Sequence, residues 1–113
     1  MTARREAGLW VAQRATAALL AFCVVVHLVT IIYAVRGGLT AGEILGRTQG
    51  SLAWGAFYGV FVIAAAVHGS IGVRNVAAEW LGLRGAASVI LTATVAFALA
   101  ALGLRAVVAV VAA

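Results

Sequence analysis

The sequence is poor in the residues that bend or cross-link a chain. Its 113 residues include no proline, one cysteine and three acidic residues, and all eight basic residues are arginine. Without proline, nothing kinks or breaks a helix by the usual route. The single cysteine, Cys23, excludes an internal disulfide, and its place in an apolar run indicates that it packs as a small hydrophobe.

Charged residues are also scarce, and apolar residues are correspondingly abundant. The chain is 65% hydrophobic and 10% charged, whereas a soluble domain is roughly 45–50% apolar and about 25% charged. We therefore predict a single integral membrane domain over residues 1–113. The net charge of +5 could suggest nucleic acid, but the arginines flank apolar runs, which indicates a lipid bilayer and no nucleic acid as partner.

Three apolar runs are long enough to cross a bilayer, which needs about 20 residues. They predict membrane helices over residues 15–35, 52–73 and 85–111. The connectors, 36–51 and 74–84, are short. The predicted fold is all-α, with three transmembrane helices.

The arginines indicate the orientation of these helices, because basic residues favour the cytoplasmic side. Five lie on the side of the N-terminus and the second connector, and two lie in the first connector: Arg4, Arg5, Arg14, Arg74 and Arg84 against Arg36 and Arg47. We expect a multi-pass protein of the bacterial cytoplasmic membrane with its N-terminus in the cytoplasm.

His27 and His68, the only histidines, both lie within apolar runs. An ionisable ring inside a membrane is energetically costly unless it has a partner, so both histidines are candidates for functional residues. Ligation of a metal porphyrin is a role that fits them. Counted from the predicted helix ends, their depths differ by on the order of 10 Å, too much for one iron. Each would then need a histidine from another chain. The alternative is that each ring only hydrogen-bonds a neighbouring helix.

Two motifs give the chain a family resemblance. His68-xxx-Gly72-Val73-Arg74, followed by Glu79-Trp80, resembles the haem-ligand motif of the cytochrome b membrane anchor of succinate dehydrogenase and fumarate reductase. Gln13-Arg14-Ala15-Thr16 resembles the motif that opens the first helix of that family. The three-helix plan is also similar.

The resemblance implies haem b as cofactor, in one or two copies. His68 would be an axial ligand of the inner haem, and His27, which resembles the first-helix ligand of two-haem anchors, of an outer haem. Arg74 would pair with a haem propionate or help to line the quinone site, and Arg36 would pair with a propionate. A guanidinium suits this role because it binds a carboxylate through two parallel hydrogen bonds. The chain then looks like half of a haem-binding helical bundle.

The resemblance also implies a quinone as substrate and several partner subunits. Arg14, Thr16, Gln13 and Trp10 would lie at the quinone. A second membrane-anchor subunit would supply the other histidine ligands. An iron–sulfur subunit, facing Glu79 and Trp80, and a flavoprotein subunit would dock on the cytoplasmic side, and the chain would relay electrons without catalysing the dicarboxylate reaction itself.

Two other functions remain open from the sequence. The first is a non-redox protein, such as a small transporter or an assembly subunit. Small drug exporters, however, carry an essential carboxylate within the first helix, whereas the acids here, Glu6, Glu43 and Glu79, lie in or next to connectors. The second is another b-type cytochrome subunit, although these normally have more helices and more histidines.

Overall fold

The computed structural model describes residues 2–112, and most of them are helical. Helix α1 spans Ala3–Gly37, α2 spans Ala41–Thr48, α3 spans Leu52–Leu81 and α4 spans Ala86–Val111. No strand occurs among the described residues. The three long helices, α1, α3 and α4, are apolar and long enough to cross a membrane, so the prediction of an all-α integral membrane fold is confirmed.

Local side-chain signals start and stop these helices. The hydroxyls of Thr2, Thr40 and Ser51 each accept a hydrogen bond from the backbone N–H three residues ahead, which caps α1, α2 and α3. Gly82 ends α3 in the left-handed conformation, with a φ of 65° that favours glycine.

Two helices are longer than the hydropathy predicted. Helix α1 begins twelve residues before the predicted start at residue 15, and α3 continues beyond residue 73 to Leu81. At 1.5 Å per residue α1 is about 52 Å long, well beyond the roughly 30 Å of hydrocarbon in a bilayer. Hydropathy locates the part of a helix that lies in lipid, whereas arginine-bearing turns such as that of Arg74 extend the same helix into water.

The first connector contains a short helix that was not predicted. Helix α2 is only two turns long and contains two glycines, so its pattern is weak in the sequence. The segment is fastened to the end of α4: Thr48 Oγ1 donates to the carbonyl oxygen of Val110 (2.7 Å), and the Gly50 N–H donates to that of Val111 (2.7 Å). We call this end of the molecule the α2 end. The opposite end, which carries Arg4, Arg5, Arg74 and Arg84, is the basic end.

Helix α3 packs against both α1 and α4, and small residues make the close approach possible. The residues buried on α3 are Ala64, Ala66, Ser70, Ile71 and Ala77. A Cβ added to Gly103 of α4 would lie 2.5 Å from Val62 of α3, so the two backbones approach as only glycine allows. The larger apolar side chains mostly lie exposed on the outer surfaces, where a bilayer or a partner subunit would cover them.

Candidate functional site

His68 lies on α3 and is half-buried against α1. Its Nδ1 is 3.5 Å from Thr16 Oγ1, at the long limit of a hydrogen bond. The Thr16 hydroxyl donates its proton to the carbonyl oxygen of Ala12 (2.7 Å), so toward His68 it offers lone pairs. This arrangement favours the tautomer in which Nδ1 carries the proton and Nε2 keeps the lone pair that a metal needs.

A groove of about 690 Å³ lies beside His68. Its walls are apolar apart from the imidazole and include two glycines next to the histidine; they are formed by Gly69, Gly72, Val73, Val76, Trp80 and Leu91. Small residues beside a ligand leave room for a flat ring system, and apolar walls suit a macrocycle. The residues around His68 therefore fit a haem group.

His27 has an equivalent partner on the other helix. Its Nδ1 is 3.0 Å from the hydroxyl of Tyr58 on α3, and its ring makes edge contacts with Tyr58 and Phe61. The sequence did not predict the role of Tyr58. The available signal was the hydroxyl itself, because a tyrosine within an apolar run usually finds a hydrogen-bond partner.

These two contacts show how far apart the two histidines lie along the helix axes. On α1, Thr16 and His27 are eleven residues apart, which corresponds to about 16 Å along the helix. On α3, Tyr58 and His68 are ten residues apart, which corresponds to about 15 Å. Both helices give a larger separation than the predicted 10 Å, and no single metal ion can contact both rings. His68 is nearer the basic end, and His27 is nearer the α2 end.

The His27 ring lines a cavity of about 250 Å³ at the α2 end. The arginine in its wall is Arg47 of α2, whose Nη2 also donates to the carbonyl oxygen of Gly38 (2.9 Å). Arg36, which the sequence analysis assigned to a propionate, is exposed on the last turn of α1 and is not part of this wall. Arg47 is thus a candidate that was missed, because its position depends on α2.

Three of the four predicted quinone residues come together at the basic end. Trp10, Gln13 and Arg14 line a cavity of about 550 Å³, which Arg74 also borders. The Arg14 guanidinium carbon lies 5.1 Å from the centre of the Trp10 ring, within cation–π range. Thr16 is not in this wall and lies closer to His68.

The side chain of Gln13 has a polar atom that lacks a hydrogen-bond partner within the described chain, which a ligand or a water molecule could provide. Its Oε1 is buried and has no hydrogen-bond partner among residues 2–112. Buried polar atoms are nearly always satisfied, and an exception in a cavity wall needs an explanation. A hydroxyl donor in the adjoining cavity would satisfy it.

Arg74 is held on the α1 side of α3. Its Nη2 forms an ion pair with Glu6 Oε1 (3.0 Å), and its Nη1 donates to Asn75 Oδ1 (3.2 Å). The guanidinium does not line the groove beside His68. Its predicted pairing with a propionate would therefore compete with the bond to Glu6.

In the part of the chain that the structure describes, neither histidine belongs to a cluster of metal-ligating side chains. Within residues 2–112, no three side chains of histidine, cysteine, aspartate or glutamate lie close enough to hold a metal ion together. Any metal bound by His68 or His27 therefore needs further ligands from a cofactor or from another chain.

The comparison with known families agrees with this geometry. The family model of the succinate dehydrogenase/fumarate reductase transmembrane subunit matches residues 1–111. No curated protein and no solved structure shows a significant match. The match spans all three long helices and both histidines, and the chain belongs to the family of succinate dehydrogenase/fumarate reductase transmembrane subunits.

Proposed function

We propose that the chain is a cytochrome b membrane anchor that relays electrons between iron–sulfur clusters and a quinone. The observation that carries the proposal is the pairing of His68 with Thr16. A hydroxyl that accepts from Nδ1 orients the ring and leaves Nε2 as a ligand, as is usual for metal-binding histidines. The apolar groove beside the ring supports the same assignment.

His68 would hold the inner b haem through Nε2. When bound between two histidines, a b haem supplies one-electron transfer at iron and has no open position for oxygen. Thr16 would keep the imidazole in the ligating tautomer, and the apolar walls of the groove would suit the ring system. The second axial histidine would come from a second membrane-anchor subunit, so that this chain forms half of the haem-binding bundle.

His27 would hold an outer haem through Nε2, which requires that the Tyr58 hydroxyl accept a hydrogen bond from Nδ1–H. Its cavity of about 250 Å³ is smaller than the inner groove, so the partner subunit would complete it. Arg47, in the wall of this cavity, would bind a propionate there. Arg36, in the last turn of α1, remains a second candidate.

The cavity of Trp10, Gln13 and Arg14 would receive the quinone head group. Arg14 donates to a quinone oxygen and stabilises the negative charge that reduction creates there. The unpartnered Oε1 of Gln13 would accept a hydrogen bond from a hydroquinone hydroxyl after its amide turns toward the cavity. Thr16 is not in the wall of this cavity, and its hydroxyl contacts His68.

The arginine distribution supports a cytoplasmic position for the basic end. In the bacterial cytoplasmic membrane, this end would face the iron–sulfur subunit and, through it, the flavoprotein subunit. Glu79 and Trp80 are both exposed at the end of α3, where a docking protein could contact them. The dicarboxylate reaction would take place on the flavoprotein.

The direct test is His68→Ala in the purified complex, measured by the reduced-minus-oxidised haem spectrum. We expect loss of the inner b haem, because alanine offers no ligand. Added imidazole should restore part of the signal by filling the space that the side chain leaves. A full b-haem content in the variant would rule out His68 as a ligand and favour a non-redox membrane subunit.

A further inference from the structure

A second charged cavity lies at the basic end, away from both histidines and on the other side of the Glu6–Arg74 ion pair from the proposed quinone site. It has a volume of about 290 Å³ and is bordered by Arg5 of α1, Arg74 of α3 and Arg84 of the α3–α4 connector. Arg74 is six residues from His68, so it points about 120° away from His68 around α3. The cavity therefore opens on a different side of the bundle from the haem groove.

The charges around this cavity favour an anion. Three arginines, one glutamate (Glu6) and one serine (Ser88) form its polar wall, and Glu6 pairs with Arg74. Arg5 and Arg84 are exposed, and neither guanidinium has a hydrogen bond or an ion pair within residues 2–112. Two arginines at one cavity, uncompensated within the described chain, create a positive potential that attracts phosphate.

The start of α4 adds to this potential. Its N-cap, Gly85, borders the cavity and provides no side-chain hydrogen bond to the first turn of the helix. The first N–H groups of α4 have no partner within the helix, and the positive end of the helix dipole lies at the wall of this cavity.

The remaining wall is apolar, which distinguishes an amphiphile from a free ion. Leu83 and Val89 border the cavity, and α4 continues into the membrane with Val89 63% and Ile90 65% exposed. An acyl chain could lie along this surface while its phosphate stays at the arginines. A soluble anion would leave the apolar wall unused.

We propose that this cavity binds the phosphate of an anionic phospholipid at the membrane surface. Arg5 and Arg84 contact the phosphate, and the start of α4 supports it. Basic pockets between membrane helices on the cytoplasmic side are suited to such head groups. The bound lipid would seal the space between α1 and α4 at the basic end.

The test is a titration of the delipidated, purified complex with phosphatidylglycerol or phosphatidylcholine, read by native mass spectrometry. We expect the wild-type complex to prefer phosphatidylglycerol. The double variant Arg5→Gln/Arg84→Gln should bind it roughly 30-fold more weakly, since each arginine near a phosphate contributes about a factor of five. Arg4→Gln/Arg105→Gln, with the same change of net charge outside the cavity, should keep the preference.

Three results would overturn the proposal. The first is equal binding of the two lipids by the wild-type complex. The second is displacement of phosphatidylglycerol by inorganic phosphate at matching concentration, which would indicate a site for a free ion. The third is release of the iron–sulfur subunit from the Arg5/Arg84 variant with lipid binding unchanged, which would indicate a protein-docking surface. The b-haem spectrum, recorded in parallel, tests the proposed electron-transfer function separately.

Discussion

Thr16 and Tyr58 have equivalent positions, although one is on α1 and the other on α3. Each hydroxyl contacts the Nδ1 of a histidine on the other helix, so both contacts join α1 to α3. A histidine with one ring nitrogen held in this way presents the other nitrogen in a defined direction. In the proposed function, the hydroxyls would hold each imidazole in a fixed orientation for a ligand role.

Thr16→Val tests this role at His68, because valine keeps the shape of threonine and removes the hydroxyl. Without an acceptor for Nδ1–H, the imidazole becomes a weaker donor to iron. We expect a higher midpoint potential for the inner haem and roughly 10–100-fold weaker haem retention. Potentiometric titration of the complex and haem loss to an apoprotein acceptor measure the two effects.

Thr16→Ser is the matched control, since it retains the hydroxyl. Its haem potential should remain close to that of the wild type. If Thr16→Val leaves both the potential and the retention unchanged, the 3.5 Å approach between Thr16 and His68 has no functional effect.

Sequence patterns identified the histidines but not all of their partners. Both rings stand out because ionisable groups are rare in apolar runs. Thr16 was singled out as a quinone residue, whereas its hydroxyl contacts His68. Tyr58 was missed because helix periodicity gives the direction of a side chain on its own helix, and the contact with His27 depends on the rotation of a second helix.

At the scale of the elements, α3 depends on glycine for its contact with α4. A Cβ at Gly103 would lie 2.5 Å from Val62 and force the helices apart. We expect Gly103→Ala to destabilise the α3–α4 contact by about 1–3 kcal/mol, as overpacking does in other cores. Thermal denaturation of the complex in detergent, followed by the haem absorbance, measures the loss.

Gly59→Ala provides the comparison, because it makes the same change on α3 where no atom lies within 4 Å of the added Cβ. Its effect should stay within about 0.5 kcal/mol. Equal destabilisation by both substitutions would show that the close approach of Gly103 to Val62 does not determine the result, because helix propensity favours alanine over glycine at both positions.

Helix existence was easier to predict than helix extent. The three predicted membrane spans were confirmed. They were easy to predict because a run of about 20 apolar residues is seldom anything other than a membrane-spanning helix. Arg74 and Glu79 were assigned to a connector because they are charged, yet they belong to α3. Charged residues are good helix formers, so charge marks where a helix leaves lipid and does not mark where it ends.

For the molecule as a whole, the separation of the two histidines predicts two haems in the assembled complex. His27→Ala should remove the outer haem and leave the inner one, because the two rings lie about 15 Å apart in depth and cannot share an iron. Haem quantified per complex should fall from two to one. A wild-type value of one, unaffected by the substitution, would make the contact between His27 and Tyr58 purely structural.

The same separation has an electrical consequence. About 15 Å is half of the roughly 30 Å hydrocarbon layer. A full crossing changes the energy of a unit charge by about 2.3 kcal/mol per 100 mV. An electron that passed between the levels of His27 and His68 would therefore gain or lose about 1.2 kcal/mol per 100 mV of membrane potential. With the basic end in a negative cytoplasm, outward transfer is favoured and inward transfer is opposed. The difference in depth between His27 on α1 and His68 on α3 would thus make the redox reaction depend on the membrane potential.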